Sequence, residues 1–173
     1  MKVALNFDLR EFVPPEVWKK YGKLSIWFVN PKLFEIAQFE KDFLTALYKQ
    51  KYDHVKTVLV VCNNWHYAKT GIRRWSGLRT VRYIMRQIKA GKHPAELTQH
   101  MGGMCNATDK KYYILYDNGK RTEIPAPEIR GIILANESKW MALGLTTLEG
   151  DKLAPTWVHG DCRPTGLSKI TVF

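Results

Sequence analysis

The chain lacks most of the features that would explain a fold or an address by themselves. Its 173 residues hold only three cysteines, Cys62, Cys105 and Cys162. An odd count without Cys-x-x-Cys spacing excludes a disulfide framework and reads as buried, reduced thiols made in a reducing compartment. No apolar run reaches about 18 residues, which excludes a membrane-spanning helix by length. The opening stretch, Met1-Lys2-Val3-Ala4-Leu5-Asn6-Phe7-Asp8, has neither a long apolar core nor a small-residue cleavage site, so no export signal is expected. Repeats, low-complexity tracts, linkers and blocks of like charge are also missing, and the expectation is one domain over residues 1–173. Acidic residues are scarce, 16 Asp and Glu against 27 Lys and Arg.

What is present is an ordinary globular balance, 45% hydrophobic and 25% charged. A chain of this length buries about 70% of the surface its unfolded form exposes, enough for a core without covalent staples. The net charge of +11 asks for an anionic partner or serves solubility, and the candidate partners are nucleic acid, an anionic membrane or an acidic polymer. The cations are spread over Lys19-Lys20, Lys49 to Lys56, Lys69 to Arg86 and Lys110 to Arg121, which makes a broadly basic surface and not a tail. There is no zinc-finger or helix-turn-helix signature, and Arg73-Arg74-Trp75 is the one basic and aromatic spot, so nucleic acid is disfavoured.

Pattern and punctuation predict an α+β chain, a small, mainly antiparallel sheet with helices packed on it. Pro14-Pro15-Glu16 opens a short helix that ends near Gly22. Asn30-Pro31 opens the main core helix, with Leu33, Ile36, Ala37, Leu44 and Leu47 on one side. The β-branched run Thr57 to Cys62 reads as a buried central strand. After Thr80, the residues Val81, Ile84, Met85 and Ile88 repeat at helical spacing up to a stop at Gly91. Asp117-Asn118-Gly119-Lys120 between Tyr112–Tyr116 and Arg121–Ile124 is a hairpin signal. Pro127 starts a last helix running towards Trp140, and three short strands follow between Leu145 and Val172.

The chemistry concentrates in Trp157-Val158-His159-Gly160-Asp161-Cys162-Arg163. Strand alternation puts His159 and Asp161 on one face. Upstream, Gln99-His100 enters a Gly-rich turn leading to Asn106-Ala107-Thr108-Asp109, which supplies a second histidine and a carboxylate. Two imidazoles and one carboxylate, with a position left open, suit a catalytic zinc ion. His54 reads as solvated, His93 as surface and His66 as a packed residue that could line a cleft. Trp65, Trp75 and Trp157 read first as packing residues.

Four segments together carry a family resemblance: Asn6-Phe7 with Glu11-Phe12-Val13-Pro14, then Asn63-Asn64-Trp65-His66, then Ser76-Gly77-Leu78-Arg79-Thr80, and Gln99-His100 with Thr156 to Arg163. With them the chain resembles the zinc D-Ala-D-Ala carboxypeptidase and L-alanyl-D-glutamate endopeptidase family, related in fold to hedgehog signalling domains, and most of all its small phage-encoded members. The resemblance implies a Zn2+ held by His100 and His159 with an aspartate between them. That third ligand departs from the pattern His-x-x-Gly-x-Ala-x-Asp. An ungapped fit leaves Ala107 at the aspartate position, whereas two extra residues in the Met101-Gly102-Gly103-Met104 turn bring Asp109 there. We favour Asp109, since a Gly-Gly turn can absorb an insertion, and keep open a degenerate site.

The resemblance further implies that Arg79 holds a substrate carboxylate or carbonyl, a task suited to a guanidinium fork, against a plain structural ion pair. Where family members place a general base three residues before the last histidine, this chain has Thr156, which leaves Glu149 and Asp161 as candidates. Glu149 is preferred, on a hairpin turning at Gly150-Asp151, and Asp161 could instead orient an imidazole. The expected activity is hydrolysis of an amide bond in the stem peptide of bacterial peptidoglycan, by a phage lysin held in the host cytoplasm until released or by a virion-associated hydrolase. Two other readings stand beside it. One is a virion or tail component, partnered by other virion proteins, that keeps the fold without the activity. The other is a basic nucleic-acid binder with structural histidines.

Overall fold

In the computed structural model the described residues are 1–63, 77–91, 98–101 and 104–173. The chain is α+β, with helices packed on a mainly antiparallel sheet. A small hairpin of β1 (Lys2–Ala4) and β2 (Phe7–Asp8) leads through a 3-10 turn, Leu9–Glu11, to α1 (Pro15–Tyr21). The turn is held by a reciprocal cap, Asp8 accepting from the Arg10 amide and Glu11 from the Asp8 amide. Gly22 ends α1 at φ 53, a left-handed value that favours glycine, and a second 3-10 helix, Gly22–Phe28, follows.

The main helix, α2 (Lys32–Lys51), buries Leu33, Phe34, Ile36, Ala37, Leu44 and Tyr48 along one side and lies against β3 (Val55–Val61). Its charges agree with its dipole, Glu35 in the first turn and Lys49 and Lys51 in the last. β3 is not the central strand expected from its β-branched run. Among the described residues it pairs only with β4 (Ala107–Tyr116), and its side chains alternate between buried and partly exposed because α2 covers one face. A continuous apolar run cannot say how many neighbours a strand has. The hub is β4, whose ten residues pair with β3 and β5 (Arg121–Ile124) towards one end and with β7 (Val158–Asp161) towards the other.

The expected helix after Thr80 is α3 (Val81–Lys89), with the Thr80 hydroxyl accepting from the Tyr83 amide and Gly91 beyond its end at φ 74. Only Ile84 of its apolar set is buried. The hairpin between β4 and β5 turns with Gly119 alone in the left-handed region, at φ 82, so Asn118 does not use its tolerance for positive φ. The last helix is two: α4 (Ala126–Ala135) and α5 (Glu137–Ala142), separated at Asn136, whose side-chain amide donates to the Ile132 carbonyl in place of a continuing helix bond. Three short strands follow as expected, β6 (Thr147–Leu148), β7 and β8 (Thr171–Val172), with β6 and β8 parallel.

One hydrophobic cluster runs from Phe7 to Ile170 and includes Leu44, Val58, Ile129 and Trp140. All three cysteines are buried free thiols, and burial pushes those of Cys105 and Cys162 up to about 12. No helix among the described residues is long and apolar enough to cross a membrane.

Candidate metal centre

The register of β4 against β7 builds the site. Asp109 stands opposite His159 and Ala107 opposite Asp161, so the period-two alternation delivers Asp109, His159 and Asp161 to one face. His100 arrives from a turn whose backbone is pinned on both sides. The Arg79 amide donates to the His100 carbonyl at 2.8 Å, and the Asn106 amide to the Gln99 carbonyl at 2.9 Å. Turn, strand and strand thereby bring together three residues that are 9 and 50 positions apart in the chain.

Their facing atoms form a tight triangle. His100 Nε2 lies 3.2 Å from His159 Nδ1 and 3.3 Å from Asp109 Oδ1, and His159 Nδ1 lies 2.7 Å from Asp109 Oδ1. Ligands at about 2.0–2.1 Å in a tetrahedral shell are separated by about 3.3 Å, which two edges match, the third being drawn in by a hydrogen bond. The group could therefore hold a metal ion. The tautomer of His100 agrees, because its Nδ1 lies 2.7 Å from the Gly77 carbonyl, which can only accept. The proton sits on Nδ1 and leaves the Nε2 lone pair to the triangle. Gly77 is required for this contact: its φ is 99, and a Cβ there would stand 2.5 Å from the Phe12 carbonyl oxygen.

The electrostatics favour one carboxylate among cations and imidazoles. Burial alone would raise Asp109, but His100, the hydrogen bond from His159 and the Arg79 guanidinium hold its carboxyl well below the usual carboxylate range. His100 is lowered, since burial disfavours its charged form more than Asp109 supports it. His159 goes the other way: burial opposes its charge, and the hydrogen bonds with Asp109 and Asp161 outweigh that and push it up to about 9. In the metal-free protein the proton next to Asp109 is thus carried by His159.

Arg79 is at the site, but its guanidinium is spent on Asp109: its Nη2 donates to Asp109 Oδ2 at 2.5 Å, and its Nε is buried without a hydrogen-bond partner among the described residues. Asp161 is wholly buried, with its Oδ2 3.7 Å from His159 Nε2, and the Arg163 guanidinium clamps it from the other side. Burial would raise Asp161, yet His159 and Arg163 hold it far below. Glu149 adjoins the site through its backbone, its amide donating to the His159 carbonyl at 3.2 Å, and its half-buried carboxylate acts through space on His159 and Arg163. No tight hairpin turns at Gly150-Asp151. Nine residues join β6 to β7, and buried Arg130 organises them, bonding Asp151 and the carbonyls of Ala154 and Trp157.

His54 is exposed with φ 60, away from the triangle, and Trp157 is half-buried. His66, His93, Trp65 and Trp75 lie outside the described residues. Sequence reasoning gave Gly77 only the turn before Arg79, not its contact with His100, and gave no role to Arg163 or Arg130. The first had a signal, a glycine two places before Arg79, whereas the arginines had none. Compared with models of protein families, with curated proteins and with solved structures, the chain gives no significant match.

Proposed function

We propose that this protein is a zinc-dependent peptidase that hydrolyses an amide bond in the stem peptides of bacterial peptidoglycan, as a phage lysin or a virion-associated wall hydrolase. The observation that carries this reading is the His100, Asp109 and His159 triangle, whose donor set and edge lengths suit zinc with a position left open. It is supported by the four segments that resemble the D-Ala-D-Ala carboxypeptidase and L-alanyl-D-glutamate endopeptidase family and its hedgehog-type fold. Zinc bound there supplies Lewis acidity, lowering the pKa of a bound water towards about 7 and polarising a scissile carbonyl.

The chain's own residues divide the remaining work. The Gly77 carbonyl fixes the His100 ring, and Asp161 faces the far nitrogen of His159. Arg79 holds the second oxygen of Asp109, which keeps that carboxylate ionised and oriented. Glu149 is the general base of choice: Asp161 is sealed and ion-paired, while Glu149 is partly solvated, has no side-chain partner among the described residues and is electrostatically coupled to His159. The net charge of +11 suits an anionic wall polymer.

Zinc content measured by mass spectrometry on the purified protein, with His100→Ala and Asp109→Ala beside it, tests the site. Stoichiometric zinc lost in both variants, together with release of peptide from purified cell wall that Glu149→Gln abolishes, is the expected result. One observation favours a second reading, a virion component that keeps the fold without activity: the guanidinium expected to hold substrate is engaged on Asp109. Zinc that binds without any wall digestion would select it.

A further inference from the structure

The 3-10 helix Gly22–Phe28 presents its apolar residues to water. In such a helix residues three apart eclipse, so Tyr21, at its N-cap, Leu24 and Trp27 stand along one edge. They are 39%, 64% and 73% exposed. A neighbouring edge is anchored: Ser25 is buried, with its hydroxyl against the Val17 carbonyl at 3.5 Å, and Phe28 packs edge-to-face against the Tyr21 ring with centroids 5.0 Å apart. Seven residues is also long for this helix type, which rarely exceeds about three or four. An isolated exposed leucine is unremarkable, but Leu24 and Trp27 beside the partly packed Tyr21 ring form an apolar edge facing water.

Its flanks are cationic. Lys19, Lys20 and Lys23 are all exposed, none has a carboxylate partner among the described residues, and the chain carries no acid between Glu16 and Glu35. Lys20 lies 5.0 Å from the Tyr21 ring centroid, so the charge borders the stripe. We propose that this edge docks on an anionic lipid bilayer, with Leu24 and Trp27 entering the headgroup boundary and the three lysines meeting lipid phosphates. The chemistry selects lipid over the other polyanions. A sugar or a base could stack on Trp27 but offers Leu24 no apolar phase, and the cations are lysines, point charges without the fork that reads a defined phosphate. The docking is independent of the metal centre.

Co-sedimentation with unilamellar vesicles of equal parts phosphatidylglycerol and phosphatidylcholine, and with pure phosphatidylcholine, tests this on the full chain without added metal. The expected result is binding to the anionic vesicles that falls by roughly tenfold or more in Leu24→Ser/Trp27→Ser, and falls and loses its salt dependence in Lys19→Gln/Lys20→Gln/Lys23→Gln. Both variants alter solvent-facing residues, and an unchanged melting temperature shows that they fold. Equal binding of wild type and Leu24→Ser/Trp27→Ser, which would mean adhesion by general positive charge, overturns the proposal. So does no vesicle binding, or binding to duplex DNA or soluble wall polymer that is weakened by the same double variant while vesicle binding is not.

Discussion

Two consecutive residues of β4, Asp109 and Lys110, point to opposite faces and enter two very different buried charge groups. Lys110 reaches the core side, where its ammonium donates to Glu40 Oε1 at 2.7 Å, the Tyr112 hydroxyl donates to Glu40 Oε2 at 2.9 Å and the Trp140 indole approaches at 3.4 Å. Helix, strand and a second helix close that group completely. Asp109 reaches the other side, where two imidazoles and a guanidinium converge on one partly exposed carboxylate. In the closed group each charge has a dedicated partner. In the open one, two ring nitrogens share a single oxygen, an arrangement that a divalent cation relieves and a proton satisfies only in part. Burial of charge alone therefore does not mark a site. Convergence of several lone pairs with too few protons between them does.

The sharpest way to break the comparison is to unbalance the closed side. Lys110→Met leaves Glu40 buried and unpaired, and should cost about 3–5 kcal/mol in chemical denaturation, whereas Glu40→Gln/Lys110→Met together should cost much less. Next in size is ligand addition. Saturating zinc at about a hundred times its dissociation constant should stabilise the wild type by about 2.7 kcal/mol, and should leave Asp109→Asn unchanged. If Asp109→Asn were stabilised equally, the triangle would not be the site.

Arg79→Gln removes the cation that orients Asp109 and should weaken zinc binding by about 10–100-fold by competition with a chromogenic chelator, while Arg163→Gln, acting one shell further out through Asp161, should do less. The most gradual effect is on pH. His159 is raised from 6.5 to about 9 in the metal-free fold, so its contribution is fully present below pH 6.5 and is lost as pH rises through about 9. Denaturation in chelator should show stability falling across that window by up to about 3 kcal/mol, and His159→Gln should flatten the slope. A slope unchanged in His159→Gln would assign the proton to another group.

Much of this was legible before any coordinates. Pro15 and Gly22, Pro31, Thr80 and Gly91 mark helix ends because capping and φ restriction act within a few residues. The alternation of His159 and Asp161 follows from the pleat of a single strand. Ambiguity arose wherever a partner from elsewhere decided the outcome. The run at Thr57 to Cys62 was compatible with a central or a peripheral strand, and the choice of Asp109 over Ala107 depended on a turn whose length the sequence could not measure.

By itself, then, the sequence determined the α+β class, the ends of the helices before Gly91, the free thiols and the donor types available for a metal, since these depend on local geometry and on composition. Tertiary structure alone decided that Asp109 stands across from His159, that the Gly77 carbonyl selects the tautomer of His100, and that Arg79 pairs with Asp109. These are relations of register and of approach between segments tens of residues apart. No local propensity encodes them, because they exist only once the sheet has paired and the core has closed around it.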